Sequence, residues 1–173
     1  MKRSLVDHLS QYAAYHRDPR NIATHFVGIP LIVVAVAVLL SRPQWAGGWL
    51  SPAVLVSLAS AWFYLRLELR LGVLMTVLLG LCVWVGQALA QQSTLVWLAS
   101  GIGMFVIGWA IQFVGHHYEG RKPAFVDDVT GLIVGPLFVV VELAFLLGFR
   151  RVLKEQIEAR AGGVRVNPKR AAI

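Results

Sequence analysis

Charged residues are scarce in this chain: Asp, Glu, Lys and Arg make up 14% of its 173 residues, against about 25% in a soluble globular domain. Hydrophobic residues make up 57%. This composition excludes an ordinary water-soluble domain and predicts a membrane protein. A transmembrane helix needs ~20 apolar residues. Five apolar runs approach or reach that length, at 24–41, 49–65, 71–90, 93–115 and 129–149.

Cysteine is almost absent as well. The single cysteine, Cys82, lies inside the third apolar run, which excludes an internal disulfide and a cysteine-rich metal site. The apolar runs occupy most of the chain and leave no room for a separate soluble domain. We therefore predict one integral membrane domain over residues 1–162, followed by a basic, flexible tail over 163–173.

Acidic residues are few, at nine against sixteen basic ones, and the net charge is +7. A positive balance can indicate nucleic-acid binding, but no aromatic residues are interleaved with the basic ones as in a nucleic-acid platform. Cytoplasmic flanks of membrane proteins collect Lys and Arg, and basic tails also hold anionic lipid headgroups. We therefore expect membrane lipid, and no nucleic acid, among the partners.

The basic residues between the apolar runs predict the orientation. With a cytoplasmic N-terminus, four crossings place Arg66, Arg70, Arg121 and Lys122 inside and only Arg42 outside, as the positive-inside rule requires. The short chain, rich in Ala and Arg, favours a bacterial inner membrane.

The fifth apolar run conflicts with this rule, because a full crossing would put the basic tail outside. Gly135 and Pro136 lie inside that run and can break a helix. We therefore expect an all-α, polytopic transmembrane bundle with four spans and a broken or re-entrant fifth segment.

Histidines are few but not scattered. His16 and His25 flank the start of the first span, and His116 and His117 lie at the end of the fourth. An even number of crossings separates the two groups, so both are expected on the cytoplasmic face of the membrane. Imidazoles that meet there can bind iron, zinc, copper or nickel. Alternatively, interfacial histidines contact lipid headgroups or cap helix ends.

Amides and a carboxylate accompany these histidines at helical spacing. Asn21 lies four residues before His25, Gln112 lies four before His116, and Glu119 lies three after His116. Residues three or four apart share a helix face. The amides and the carboxylate are therefore expected to line the same polar cluster and to orient the imidazole rings.

Two basic residues follow the histidine pair in the segment "GRKPAF". Arg121 and Lys122 are candidates to bind a carboxylate or a phosphate headgroup while an acyl chain runs between the helices. The alternative is that they are two more cytoplasmic charges that set the topology.

The stretches "YAAYHRDPRNIATHFVGIP" (12–30) and "QFVGHHYEGRKPAF" (112–125) resemble a known pair of signatures. These signatures, H-x4-N-x3-H-x2-G-x-P and Q-x2-G-H-x2-E-x3-P-A, characterise the Mpo-like membrane proteins, of which a fungal member is a 2-hydroxy fatty acid dioxygenase. The resemblance implies a non-haem Fe(II) enzyme of fatty acid α-oxidation. Such an enzyme would use O2 to convert a long-chain 2-hydroxy fatty acid into the acid one carbon shorter.

The predicted site combines the resemblance with the spacing. The expected metal ligands are His16, His25, His116 and His117; the expected catalytic residues are Asn21, Gln112 and Glu119; and the expected substrate-binding residues are Arg121 and Lys122.

Two other classes of protein are alternatives. A di-iron membrane hydroxylase or desaturase carries more histidines, in clustered boxes, than the five of this chain, which argues against it. A non-enzymatic transporter or assembly factor with interfacial histidines is the main alternative, and metal analysis separates it from an oxygenase.

Overall fold

The computed structural model of the chain describes residues 3–165. Within that range it contains seven α-helices, two 3-10 turns and no strand. The all-α expectation is therefore confirmed. The helices are α1 Leu5–Ala13, α2 Pro19–Leu40, α3 Pro52–Leu67, α4 Leu69–Ala90, α5 Thr94–Glu119, α6 Gly131–Leu146 and α7 Arg151–Ala161, and the 3-10 turns are Ala46–Gly48 and Ala124–Val126.

Three of the described helices are long and apolar enough to cross a membrane: α2, α4 and α5. Helix α3 is apolar but has 16 residues, about 24 Å at 1.5 Å per residue, which is shorter than a bilayer core of about 30 Å. Helices α6 and α7 form a pair bent by 118°. That the chain crosses the membrane four times therefore remains a prediction.

The break in the fifth apolar run lies at a different place from the one predicted. Helix α6 continues through Pro136 and ends at Leu146. Gly148 then adopts a φ of 81°, and Phe149 N–H donates to the Ala144 carbonyl at 2.8 Å, as in a Schellman helix end. The expected break at Gly135–Pro136 is wrong, because a proline removes only one helical N–H donor and its fixed φ suits a helix.

The described chain divides into two compact units, here called unit 1 and unit 2. Unit 1 comprises the residues up to Phe26 together with those from Gln112 onwards, and unit 2 is Val27–Ile111. Helices α2 and α5 contribute residues to both units. The predicted domain over 1–162 remains a prediction, and residues 166–173 of the predicted tail lie outside the described part of the chain.

Unit 2 is built by close packing of apolar helices. Helix α3 packs along α4. Glu68 lies between the two helices in an extended conformation. Its carboxylate caps α4 by accepting from the backbone N–H groups of Arg70 and Leu71. A Cβ at Gly86 would lie 2.7 Å from the Ala37 carbonyl oxygen. Only a glycine allows α2 and α4 to approach so closely.

Unit 1 is held together by polar contacts between distant parts of the sequence. Helix α1 packs against α6 and α7, and Ser4 and Asp7 form a capping box at its start. Arg3 pairs with Asp128 at 2.8 Å, and Arg160 pairs with Asp7. These contacts hold the start of α1, and the turn after α1 carries the first of the candidate site residues.

Candidate metal centre

Local helix signals place three histidines on three different pieces of chain. His16 lies in the turn between α1 and α2, His25 on the second turn of α2, and His116 on the last turn of α5. Asp18 begins α2 by accepting from the Arg20 backbone N–H at 2.8 Å, a normal N-cap arrangement. Gly120, with a φ of 69°, ends α5 immediately beyond the site.

The three imidazoles converge. One ring nitrogen from each of His16, His25 and His116 lies within 4.8 Å of the others, and all three residues are buried. The ring centroids of His16 and His25 lie 4.4 Å apart, and each lies 5.2 Å from that of His116. The predicted meeting of histidines from the two ends of the chain is confirmed.

Hydrogen bonds fix the tautomers of two of the rings. Nδ1 of His16 donates to the Tyr12 carbonyl at 2.7 Å, and Nδ1 of His25 donates to the Asn21 carbonyl at 2.8 Å. A carbonyl oxygen can only accept, so both Nδ1 atoms carry a proton. In the neutral rings both Nε2 atoms then present a lone pair.

Those two lone pairs face each other. Nε2 of His16 lies 2.9 Å from Nε2 of His25, and two acceptors at this distance repel unless a cation or a proton lies with them. Burial, followed by the neighbouring His25, lowers the pKa of His16 well below its ordinary value, which favours the neutral ring. The arrangement therefore fits a metal cation.

The donor set agrees with this fit. Neutral imidazole nitrogens bind iron, zinc, copper and nickel, and a metal-bound histidine usually donates its other N–H to a carbonyl or carboxylate. His16 and His25 both do so. Tyr12 adds a further constraint, because its ring stacks on His16 with centroids 4.2 Å apart.

Glu119 fixes the turn that carries His16. Its carboxylate is 3% exposed, and Oε2 accepts from the backbone N–H groups of Arg17 and Asp18 at 2.9 and 2.8 Å and from Asn21 Nδ2 at 3.1 Å. Nη2 of Arg165 lies 3.3 Å from Oε1, an ion contact outside hydrogen-bond geometry. Glu119 thus ties the end of α5 to the segment between α1 and α2.

Several buried polar atoms around the cluster have no hydrogen-bond partner among the described residues. They are Asn21 Oδ1, Gln112 Nε2 and His116 Nδ1. Each belongs to a residue predicted for the site. Buried polar atoms are normally paired, and such exceptions are typical of sites that bind an ion, water or ligand.

The remaining predicted site residues do not join the cluster. His117 is exposed and its ring contacts Tyr118, because consecutive helical residues point about 100° apart. Arg121 is exposed and donates to the Ala14 carbonyl at 2.9 Å. Lys122 is exposed and pairs with Asp127 at 2.6 Å.

Two contributors to the histidine pocket were not among the predicted site residues. Tyr12 lies four residues before His16, and this spacing was a usable signal for their stacking. Phe138, from α6, lies with its ring centroid 5.5 Å from that of His16 and is 1% exposed. Nothing in its apolar run distinguishes it from its neighbours.

The apolar helices fit a membrane protein, and unit 1 gives it a buried site of three histidines. The chain belongs to the Mpo1-like family, whose profile is described as 2-hydroxy-palmitic acid dioxygenase Mpo1-like and matches residues 2–147. The resemblance seen in the two signatures is therefore confirmed. A relative from Saccharomyces cerevisiae, named 2-hydroxy-palmitic acid dioxygenase MPO1, is 36% identical over 163 residues, which cover 91% of each chain. A comparison with the solved structures finds no match.

Proposed function

We propose that this protein is an Fe(II)-dependent dioxygenase that shortens long-chain 2-hydroxy fatty acids by one carbon. The family and the name of the yeast relative support the substrate class. The observation that carries the metal dependence is the pair of facing Nε2 atoms of His16 and His25, 2.9 Å apart. His16, His25 and His116 would hold the iron.

The reaction balances without a further reductant. A 2-hydroxy acid, R–CH(OH)–COOH, and O2 give R–COOH, CO2 and H2O, with cleavage of the bond between the carboxyl carbon and the hydroxyl-bearing carbon. The substrate loses four electrons and O2 gains four. A bound ferrous ion would supply the activation of O2 and the polarisation of the substrate's hydroxyl and carboxylate.

The chain's own residues would orient this chemistry. Glu119 holds the turn that carries His16, so it acts as a positioning residue. Gln112 has a buried Nε2 without a partner among the described residues, and it is therefore available to donate to a bound substrate. Asn21 supports His25 through its carbonyl and Glu119 through its side chain.

The membrane would deliver the substrate. A long-chain acid partitions into lipid, and we propose that the site lies at the cytoplasmic face of a bacterial inner membrane. Arg121 and Lys122 are exposed, so we propose them as contacts to the anionic headgroups around the site.

The direct test is to incubate membranes containing the protein with 2-hydroxypalmitate under air and to measure products by mass spectrometry. We expect the acid one carbon shorter, its loss with a chelator and its return with added Fe(II). His116→Ala is the matched negative control. A folded, Fe(II)-treated protein that yields no shortened acid would contradict the proposal and favour a non-enzymatic membrane protein.

A further inference from the structure

Unit 1 contains a cavity of about 480 Å³ that none of the three clustered histidines lines. Its volume lies in the range of small-molecule pockets, about 300–1,000 Å³. The walls come from the start of α2, the end of α6, α7 and the segment after α7. Most of the wall is apolar, formed by Ile22, Phe26, Phe145, Leu146, Ile157 and Val164.

Arg17 is a buried cation at the wall of this cavity. The residue is only 8% exposed, and neither Nε nor Nη1 has a hydrogen-bond partner within residues 3–165. An arginine stays charged and presents its donors as a planar fork. That fork matches the two oxygens of a carboxylate.

Other charged groups also line the cavity. Lys154 lies 3.9 Å from Glu158 as an ion pair, so its charge is largely matched. The carboxylates of Glu142 and Glu158 line the cavity as well. Among the described lining residues, Arg17 is the cation with buried, unpaired donors, and this planar fork fits a carboxylate ligand.

The backbone of Arg17 is held in place by two hydrogen bonds. Arg17 directly follows His16 in the chain, and its backbone N–H donates to Glu119 Oε2 at 2.9 Å. Its carbonyl accepts from the Arg165 N–H at 2.8 Å. Its side chain can therefore be changed while these backbone contacts are kept.

We propose that Arg17 binds the carboxylate of a long-chain acid whose hydrocarbon chain lies in this cavity, along α2, α6 and α7. The inference rests on the proposed function for the identity of the acid, and it names the residue that would bind the acid's carboxylate. Leu146 at the wall is 73% exposed, which leaves this side accessible to a chain that arrives from lipid.

The test is a binding measurement on the full, detergent-solubilised chain that needs no turnover. A fatty acid labelled with a fluorophore at its methyl end is displaced by palmitate or by hexadecanol, which lacks the carboxylate. We expect palmitate to displace it at least about tenfold more effectively, the difference expected for a charge-assisted hydrogen bond. Arg17→Gln should abolish that preference, Arg17→Lys should keep part of it, and Arg151→Gln, at an exposed cation of α7 outside the cavity wall, should leave it unchanged.

Additional measurements in the same experiment separate this inference from the proposed function. His116→Ala should keep the preference for palmitate, and a wild-type chain that prefers palmitate but lacks oxygenase activity would retain the acid site while the proposed function fails. A folded R17Q variant that still prefers palmitate would overturn the inference. The inference would also be overturned if lysophosphatidylglycerol displaced the probe better than palmitate, because that result would assign the cavity to a phospholipid headgroup.

Discussion

Buried polar side chains are concentrated in unit 1, whereas the described part of unit 2 buries only two, Ser41 and Ser51. Unit 2 gains its stability from apolar helices in close contact. Unit 1 buries imidazoles, amides, a carboxylate and a guanidinium. The comparison shows that unit 2 consists of packed apolar helices, whereas unit 1 also buries the polar side chains of the candidate site.

Energetic arguments sharpen this contrast. A buried polar atom without a partner costs about 1–3 kcal/mol. Among the described residues, Asn21, Gln112 and His116 in unit 1 each carry one, and Ser41 carries one in unit 2. Packing alone would replace such groups with apolar ones. Those of unit 1 belong to residues predicted for the site, so substitutions in the two units are expected to have different effects.

The largest expected effect comes from the histidines. His16→Ala, His25→Ala or His116→Ala should each lower turnover of 2-hydroxypalmitate by more than about 100-fold, because even residues that only support a metal ligand contribute about 10–100-fold. Ser41→Ala, at a buried polar residue of unit 2, should leave turnover near wild type. A folded histidine variant with more than a tenth of the activity would remove that residue from the site.

Two glutamates whose carboxylates accept from backbone N–H groups give the next comparison. Glu119→Gln removes the charge that holds three donors around the His16 turn, and we expect metal affinity to fall by about 10–100-fold. Glu68→Gln in unit 2 weakens the cap of α4 and should leave metal affinity unchanged. Titration with Fe(II) under anaerobic conditions measures both, and equal affinities in the two variants would contradict the positioning role of Glu119.

Two glycines of α5 provide a smaller effect. A Cβ at Gly115 would lie 2.6 Å from Asn21 Oδ1 and would also clash with Thr24 Oγ1, whereas a Cβ at Gly103 meets nothing within 4 Å. Gly115→Ala should therefore shift Asn21 and lower turnover by about tenfold, in the range of an outer supporting group. Gly103→Ala should be neutral in the same assay, and an equal loss in both variants would point to a general effect on α5.

The smallest effect is expected in unit 2. Ser51 caps α3 by accepting from the Val54 N–H, so Ser51→Ala should destabilise the protein by about 1 kcal/mol. Thermal unfolding in detergent should show the loss while metal affinity stays unchanged. A loss of metal affinity in this variant would show that the two units are not separable in function.

Local patterns in the sequence were sufficient for much of this architecture. Spacings of three and four residues predicted that Asn21 lies with His25, and the Asn21 carbonyl does accept from His25 Nδ1, because helix geometry repeats on that scale. The same spacings placed Gln112 and Glu119 with His116, and the roles of these residues remain predictions. The even number of expected crossings predicted that the two histidine groups lie on one side of the membrane, and three of the histidines do meet. Both arguments need only the chain's own periodicity.

Long-range contacts could not be predicted in this way. The contact of Phe138 with His16 and the place of Arg17 in a cavity wall depend on how α6 and α7 pack, which no local pattern encodes. The break expected at Pro136 occurs instead at Gly148, since a transmembrane-type helix tolerates a proline while a left-handed glycine ends it. His117 was predicted as a ligand, but adjacent helical residues face different directions, and its ring lies away from the cluster.

The central claim is that three imidazoles hold one metal ion, and metal analysis of the purified protein tests it most directly. After anaerobic loading with Fe(II) and desalting, we expect about one iron per chain, the capacity of a single imidazole site. His16→Ala, His25→Ala and His116→Ala should lose it, while His117→Ala should retain it. Iron content that is unchanged in His25→Ala and His116→Ala, or lost only in His117→Ala, would contradict the account.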